Sequence, residues 1–237
     1  MTEAMHDEGV SVVVPVYNGA RHVAAALESI LGQKFRPREI IVVDDGSTDA
    51  TPRVLKSCSD RIHTIRQDNR GPSAARNIGM AHSTAPLIAF LDADDVWLPE
   101  ALTHHLAAFR DKPAAAVAWG LSNRVFGTNA CPPRDDWHGR AQWALSVGSM
   151  LFRRNVFDVA GVFDPSLRIG EDLDLLLRIT EQKLPIVRHA YVVCEKHLHA
   201  GNMSRDGEAA DRARFIVIGK AFERRRVNAP RKTIQSA

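Results

Sequence analysis

The chain has 237 residues, enough for one α/β domain with a substantial buried core or at most two small ones. Its 45% hydrophobic and 25% charged content is ordinary for a globular protein, and a net charge of +3 gives no argument for a nucleic-acid partner. Three scattered cysteines, Cys58, Cys131 and Cys194, exclude a disulfide framework and a thiolate metal site. With the acidic, polar start from Met1 to Gly9, which is no signal peptide, they fit a cytoplasmic protein. No apolar run approaches the roughly 18 residues of a membrane span. A peripheral membrane contact is the most the sequence suggests.

In chain order, Val10 to Val14, Glu39 to Val43 and Pro86 to Leu91 read as strands buried on both faces. Their apolar runs are continuous rather than alternating, the mark of parallel strands covered by helices. Arg61 to Ile65 reads as a shorter strand. Between them, Ala20 to Leu31 sets Val23, Leu27, Ile30 and Leu31 on one helical face. Thr48 to Lys56 reads as a helix after a Ser47 or Thr48 cap, with Asp49 in its first turn, and about Ser73 to Ala81 as another. The β-α-β-α-β-α-β order predicts an α/β fold, a doubly wound and mainly parallel sheet flanked by helices.

After Trp97 the pattern changes. Pro99 to Phe109 predicts a helix, Ala114 to Trp119 a strand, Gly127 to Gly139 a polar loop and Trp143 to Phe152 further extended structure. Helices are expected over Arg154 to Ala160 and Glu171 to Thr180, the second turning Leu173, Leu176, Leu177 and Thr180 inward. From Glu223 through Lys232 the chain is basic without a clear apolar pattern. That stretch reads as a solvated helix end and frayed tail, or as a weak contact with an anionic surface. The economical division is a flexible 1–9, a single domain over 10–222 with a nucleotide-binding half at 10–98 and a more variable half at 99–222, and a basic tail at 223–237.

Open α/β sheets bind ligands beyond the carboxyl ends of their strands. Here those ends are Pro15-Val16-Tyr17-Asn18-Gly19, Asp44-Asp45-Gly46-Ser47-Thr48-Asp49 and Asp92-Ala93-Asp94-Asp95. Gathered at one edge, so many carboxylates need cations or hydrogen-bond donors. Residues two apart in extended backbone point the same way, so Asp92 and Asp94 can address one ligand. Oxygen-only ligands favour Mg²⁺ or Mn²⁺, which typically complete their shells with substrate phosphates. Alone, the triplet is also a common polar turn. It even imitates the aspartate nucleophile of haloacid-dehalogenase-type phosphatases, although three strands precede it here. No G-x-G-x-x-G follows the first strand, so a dinucleotide oxidoreductase is disfavoured.

Four ordered segments together are more specific. Val12-Val13-Val14-Pro15-Val16-Tyr17-Asn18, Ile41-Val42-Val43-Asp44-Asp45-Gly46-Ser47-Thr48-Asp49, Gly71-Pro72-Ser73-Ala74-Ala75-Arg76-Asn77-Ile78-Gly79 and Asp92-Ala93-Asp94-Asp95 resemble family 2 glycosyltransferases of the GT-A fold. The likeness runs from about Val10 to Ser204. It implies an inverting, metal-dependent enzyme that uses a nucleoside-diphosphate sugar, with a UDP-sugar favoured, in surface polysaccharide or glycoconjugate synthesis. The second half would then serve a glycan, lipid-linked or small-molecule acceptor, with Asn123 to Ala141 its most individual stretch.

The resemblance also implies site roles. Pro15, Tyr17 and Asp45 would line the nucleoside pocket, with Arg76 near the base or phosphates and Asp92 near the ribose. Asp94, joined by Asp95, would meet Mn²⁺ or Mg²⁺. Asp172, in Gly170-Glu171-Asp172-Leu173-Asp174, would be the acceptor-side base, with Glu171 supporting it and Asp174 an exposed helix residue. Acids at a helix start are also favoured by the dipole alone. Gly148 to Arg154 matches an acceptor-side strand. His197 to Ser204 resembles a loop over the diphosphate, but His197 stands where the family often has arginine; His199 would meet metal or phosphate. Gly46 and Gly79 read as backbone devices. A degenerate homologue that binds a nucleotide or a partner without turnover is the alternative.

Overall fold

The computed structural model describes residues 9–126, 141–199 and 207–228. Strand β1 (Val10–Val16) shows how the continuous apolar runs are used. Val10, Val12, Val14 and Val16 enter one core cluster while Val13 enters another. In β4 (Leu87–Phe90), Leu87 and Ala89 likewise face the first cluster, and Ile88 and Phe90 the second. The strands keep their period of two, but both faces are buried.

The first cluster is closed by helix α1 (Val23–Leu31) through Val23, Ala26, Leu27 and Ile30, and by α4 (Ala101–Asp111) through Leu102, Leu106 and Phe109. The second is an aromatic layer. Phe90 meets Phe152, Phe157 and Phe163 edge-on with centroids 5.9, 6.0 and 5.1 Å away, an arrangement favoured by ring quadrupoles. Helix α5 (Val156–Ala160) and α6 (Glu171–Glu181) cover that layer. Helix α3 (Pro72–His82) lies close on β1 because Gly79 has no side chain: a Cβ there would sit 2.3 Å from Val13 Cγ1.

The remaining strands are β2 (Glu39–Asp44), β3 (His63–Arg66), β5 (Val96–Trp97), β6 (Val117–Phe126), β7 (Met150–Arg153) and β8 (Ile186–Leu198). Helices α2 (Thr51–Lys56) and α7 (Gly207–Asn228) complete the set. Among the described residues they form one eight-stranded sheet in the order β3-β2-β1-β4-β7-β6-β8-β5. The pairs β1–β2, β2–β3, β1–β4 and β6–β8 are parallel; β4–β7, β6–β7 and β5–β8 are antiparallel. The predicted mainly parallel, helix-flanked α/β sheet is present, with β7 inserted antiparallel between β4 and β6. No described helix is long and apolar enough to cross a membrane.

Several local expectations differ from the structure. The strand expected at Ala114 to Trp119 begins at Val117 and continues to Phe126. Much of Trp143 to Phe152 is not strand: a 3-10 turn at Val147–Ser149 leads into β7. Helix α2 starts at Thr51, not Thr48; its N-cap is Ala50, without a side-chain cap bond, and the Asp49 carboxylate before it accepts from Thr51 N at 2.9 Å. In α6 the buried residues are Glu171, Asp174, Leu175 and Ile179; of those expected inside, Leu176 packs partly buried against the second cluster, whereas Thr180 is exposed. Asp174 is therefore buried. It accepts from Arg178 Nε at 2.9 Å and from Arg224 Nη1 at 3.0 Å. Those arginines hold the helix inward, and Arg224 lies in the stretch expected to be tail. The expected boundary at 222 thus falls inside α7. The segments 1–8, Gly127 to Gly139, Gly201 to Ser204 and 229–237 lie outside the described residues, in whole for each.

Candidate active site

The β1–α1 and β2–α2 loops lock together through short polar side chains. Asn18, at φ 50°, accepts from Thr48 N at 2.8 Å and donates its own N–H to Ser47 Oγ at 2.9 Å. Asp44 accepts from Ser47 N at 2.9 Å and pairs with Arg66. Asp45 turns the other way. Its carboxylate accepts from Gln67 Nε2 (2.6 Å), Arg70 N (2.8 Å) and Gly71 N (2.8 Å), so it fixes the chain leading into α3. Gly46, at φ 79°, permits this turn; a Cβ there would lie 2.8 Å from Asn69 N. Pro15 is buried in β1 opposite Val43, and Tyr17 is 51% exposed at the strand end.

Helix α3 then builds the centre of the site. Ser73 donates to the carbonyl of Leu167 at 2.8 Å. Asn77 donates to the carbonyl of Phe163 at 2.8 Å and accepts from its N–H at 3.0 Å. These two side chains clamp the 163–167 segment, which leads straight to the start of α6. Between them Arg76 is buried, its guanidinium 5.4 Å from the Phe163 ring centroid. Nη2 donates to Asp92 Oδ1 at 2.6 Å and Nη1 to Glu171 Oε1 at 2.7 Å, with Asp172 Oδ1 3.7 Å away. One arginine thus joins the end of β4 to the start of α6.

Lys196, on β8, is the second cation. Its Nζ donates to Ser146 Oγ at 2.9 Å and lies 3.3 Å from Asp95 Oδ2 and 3.7 Å from Asp92 Oδ2. The Asp95 carboxylate also accepts from His197 N at 3.1 Å. Asp94 lies 3.2 Å from His199 Nε2, and His199 stacks on His22 with centroids 4.5 Å apart. Asp172 accepts from Val147 N at 3.1 Å through Oδ2.

Four carboxylates, Asp92, Asp95, Glu171 and Asp172, therefore share the buried Arg76 and the partly buried Lys196, while Asp94 meets His199. Burial opposes the charges of Arg76 and Lys196, but the surrounding carboxylates outweigh it, and both pKa values are raised. Asp92, next to both, is lowered despite its burial. Burial pushes Asp95 to about 7, only partly opposed by Lys196. Burial also pushes Asp172 to about 7 against the pull of Arg76. Asp94 is raised by burial and by Asp92. Oxygen atoms of Asp92, Asp94 and Asp95 come within 4.8 Å of one another, a spacing that suits one hard divalent cation.

The structure brings together Arg76, Asp92, Asp94, Asp95, Glu171, Asp172 and His199. Pro15, Tyr17 and Asp45 stand on the β1–β2 side, where Asp45 is tied to the 67–71 loop. Lys196 was not legible in the sequence. The one signal for it was the apolar run Val192-Val193-Cys194 just ahead, which marks a strand entering the core. Ser73 and Asn77 lay within a recognised motif, but their clamping role needed the fold.

The mixed, helix-flanked sheet with these acids at its strand and helix ends has the GT-A fold. Solved structures of S. aureus TarS share the fold. The complex of its residues 1–349 with UDP-GlcNAc superposes with a TM-score of 0.69 at 19% identity, covering 90% of this chain and 66% of that one. A longer TarS structure superposes with a TM-score of 0.70 over 93% of this chain and 40% of the other, also at 19% identity. The model for glycosyl transferase family 2 matches residues 11–167, and the chain belongs to that family. The succinoglycan biosynthesis protein ExoU of Rhizobium meliloti is 34% identical over 195 residues, 71% of this chain and 56% of its own. An uncharacterized glycosyltransferase of Rickettsia prowazekii is 27% identical over 214 residues, 84% of this chain and 67% of its own. Another, from Rickettsia felis, is 39% identical over 157 residues, but these make up only 24% of its length. The chain thus spans between a quarter and two thirds of such relatives.

Proposed function

We propose that this chain is an inverting glycosyltransferase that moves a sugar from a nucleoside-diphosphate donor, a UDP-sugar by preference, to an acceptor hydroxyl in polysaccharide or glycoconjugate synthesis. The observation that carries this reading is the bridge made by Arg76. It holds Asp92, on the side proposed for the donor, and the Glu171–Asp172 pair, on the side proposed for the acceptor, at opposite ends of one guanidinium. Inverting transfer needs that two-sided layout: a leaving diphosphate on one side of the sugar and a base on the other. The name of ExoU supports the polysaccharide setting, and TarS in complex with UDP-GlcNAc supports the donor class.

In this reading Asp172 takes the proton of the acceptor hydroxyl. A carboxylate with a pKa of about 7 is a stronger base than an ordinary aspartate and is about half ionised at pH 7. Val147 N–H and Arg76 fix its orientation. Glu171 steadies Arg76 and borders the acceptor. Asp92 meets the donor ribose, and Asp45, with Pro15 and Tyr17, lines the nucleoside pocket. Asp94 would hold Mn²⁺ or Mg²⁺, with Asp95 and His199 beside it; such an ion neutralises charge on a leaving diphosphate. Lys196 balances Asp92 and Asp95 so that the acids can stay together.

The test is a screen of nucleoside-diphosphate sugars for thermal stabilisation with and without Mn²⁺. A shift produced by one donor class only, and only with the metal, is expected. Indifference to every donor would remove the reading.

A further inference from the structure

The β1–α1 turn brings one more side chain to the acid cluster, His22, the N-cap of α1. The turn closes on Gly19, whose carbonyl accepts from His22 N and from Val23 N, both at 2.9 Å. Ala20 N donates to Asp49 at 3.2 Å, which ties the turn to the β2–α2 loop. Gly19 also lies against Ala93, between Asp92 and Asp94: a Cβ at Gly19 would be 3.7 Å from the Ala93 Cβ. The start of α1 is thus held against the Asp92–Asp95 turn. There the His22 ring lies flat on that of His199, with centroids 4.5 Å apart and an interplanar angle of 8°. Capping does not account for His22, whose side chain makes no cap hydrogen bond.

The β6–β8 ladder stops one residue short of His199, at the Phe126–Leu198 pair. Beyond it, His199 Nε2 lies 3.2 Å from Asp94 Oδ2. A contact at one ring atom fixes where that atom lies but leaves the ring plane free to turn about it. A second ring laid against its face removes that freedom, and offset stacking is a favoured arrangement of flat rings at this separation. Neighbours that orient a metal-binding histidine strengthen a site without touching the ion.

We propose that His22 is a positioning residue of the donor site: its ring holds the His199 imidazole in the plane that keeps Nε2 on Asp94, and so prepares that pair for a divalent cation and the diphosphate it carries. This role rests on the metal-dependent transferase reading above. His22 acts in it through His199 and touches neither ion nor donor.

Calorimetric binding of UDP in Mn²⁺ to single and paired variants tests the role without requiring turnover. H22A should bind about three- to tenfold more weakly than the wild type, the contribution of one aromatic pair, at an unchanged melting temperature in EDTA. H22F, which keeps a flat ring without a nitrogen, should recover wild-type binding. H199A should lose at least as much as H22A. H22A/H199A should bind no more weakly than H199A alone, because the first ring acts only through the second. In the metal-free chain, labelled in its histidine rings, the NMR signals of His199 should shift in H22A as they lose the ring current of the stacked neighbour. Undiminished binding by H22A, additive losses in H22A/H199A or unshifted His199 signals would overturn the proposal. So would a failure of H22F to recover binding, which would assign the effect to a histidine nitrogen. If the wild type itself does not bind UDP in Mn²⁺, the metal-dependent reading falls and the role of His22 with it. A wild type that binds beside an H22A that binds equally well removes the role of His22 alone.

Discussion

Arg76 decides the geometry of the site because it is the residue that touches both halves. Buried among carboxylates, it cannot be removed without taking the partner from Glu171 and leaving Asp92 with only the more distant Lys196, and breaking a buried pair in this way typically costs about 3–5 kcal/mol. Urea unfolding of Arg76→Met should show a loss of that size; a loss below about 1 kcal/mol would mean that the pairs contribute little. Asp172 gives the second prediction at this scale. With its pKa at about 7, it is increasingly protonated below neutrality and cannot then accept a proton. Transfer should therefore rise with pH through about 7 and level off above it. Asp172→Asn should cost about 10²–10⁴-fold in kcat, the usual worth of a positioned base, and lose that rise. The acids of the site were legible through the ordered motifs that resemble family 2, since Asp92 to Asp95 alone is also a common polar turn and acids at a helix start are favoured by the dipole alone. Lys196 was not, because a lone lysine in a half-buried strand looks like a surface residue until the strand is placed. Asp174 was misjudged for a related reason: its partner Arg224 is far away in sequence, so an aspartate near a helix start read as solvent-facing.

At the scale of elements, α3 carries the most information per residue. Ser73, Arg76 and Asn77 share one face, reaching the 163–171 segment, while Gly79 lets the helix approach β1. Gly79→Ala should overpack that contact and destabilise by about 1–3 kcal/mol in denaturant titration; a neutral result would show that β1 and α3 can separate freely. Helix α7 is anchored in part by Lys220 on Asp164, whose pKa falls to about 2 from the ordinary 3.8, chiefly through the Lys220 hydrogen bond. A carboxylate with a depressed folded pKa binds fewer protons than in the unfolded chain. Its contribution is therefore complete above about pH 4 and lost as pH falls towards 2. Both groups are about one-third exposed, so the contribution is at most about 1 kcal/mol after solvent screening. The stability gap between wild type and Lys220→Met should accordingly close between pH 4 and pH 2. A gap that persists at pH 2 would assign the effect to packing instead. The helices of the first half were readable from capping and periodicity to within a few residues. Helix α7 was not, because apolar residues on two opposite sides erase the single-faced pattern that reveals a surface helix.

Over the whole molecule, the two halves differ in how sequence encodes them. The parallel strands β1, β2 and β4 are buried on both faces and announce themselves as unbroken valine and isoleucine runs. The second half is built from β6, which shifts register against β8 twice, from the two-residue β5, and from a half-exposed β8. None of these has a strong period, and their pairing partners are distant in the chain. Fold and donor-side acids were thus legible from β-α-β order, while the layer that supplies Lys196 and borders Asp172 emerged only from tertiary pairing. The account as a whole assigns metal-dependent donor binding to Asp94 and proton removal to Asp172, two functions that can be separated. Calorimetric binding of UDP, with and without Mn²⁺, together with UDP release from the donor found in the thermal screen, separates them in one set of variants. The account predicts binding in the wild type only with Mn²⁺, at least tenfold weaker binding by Asp94→Ala, and unchanged binding with turnover lowered about 10²–10⁴-fold by Asp172→Asn. UDP binding that survives EDTA, or full turnover by Asp172→Asn, would contradict it.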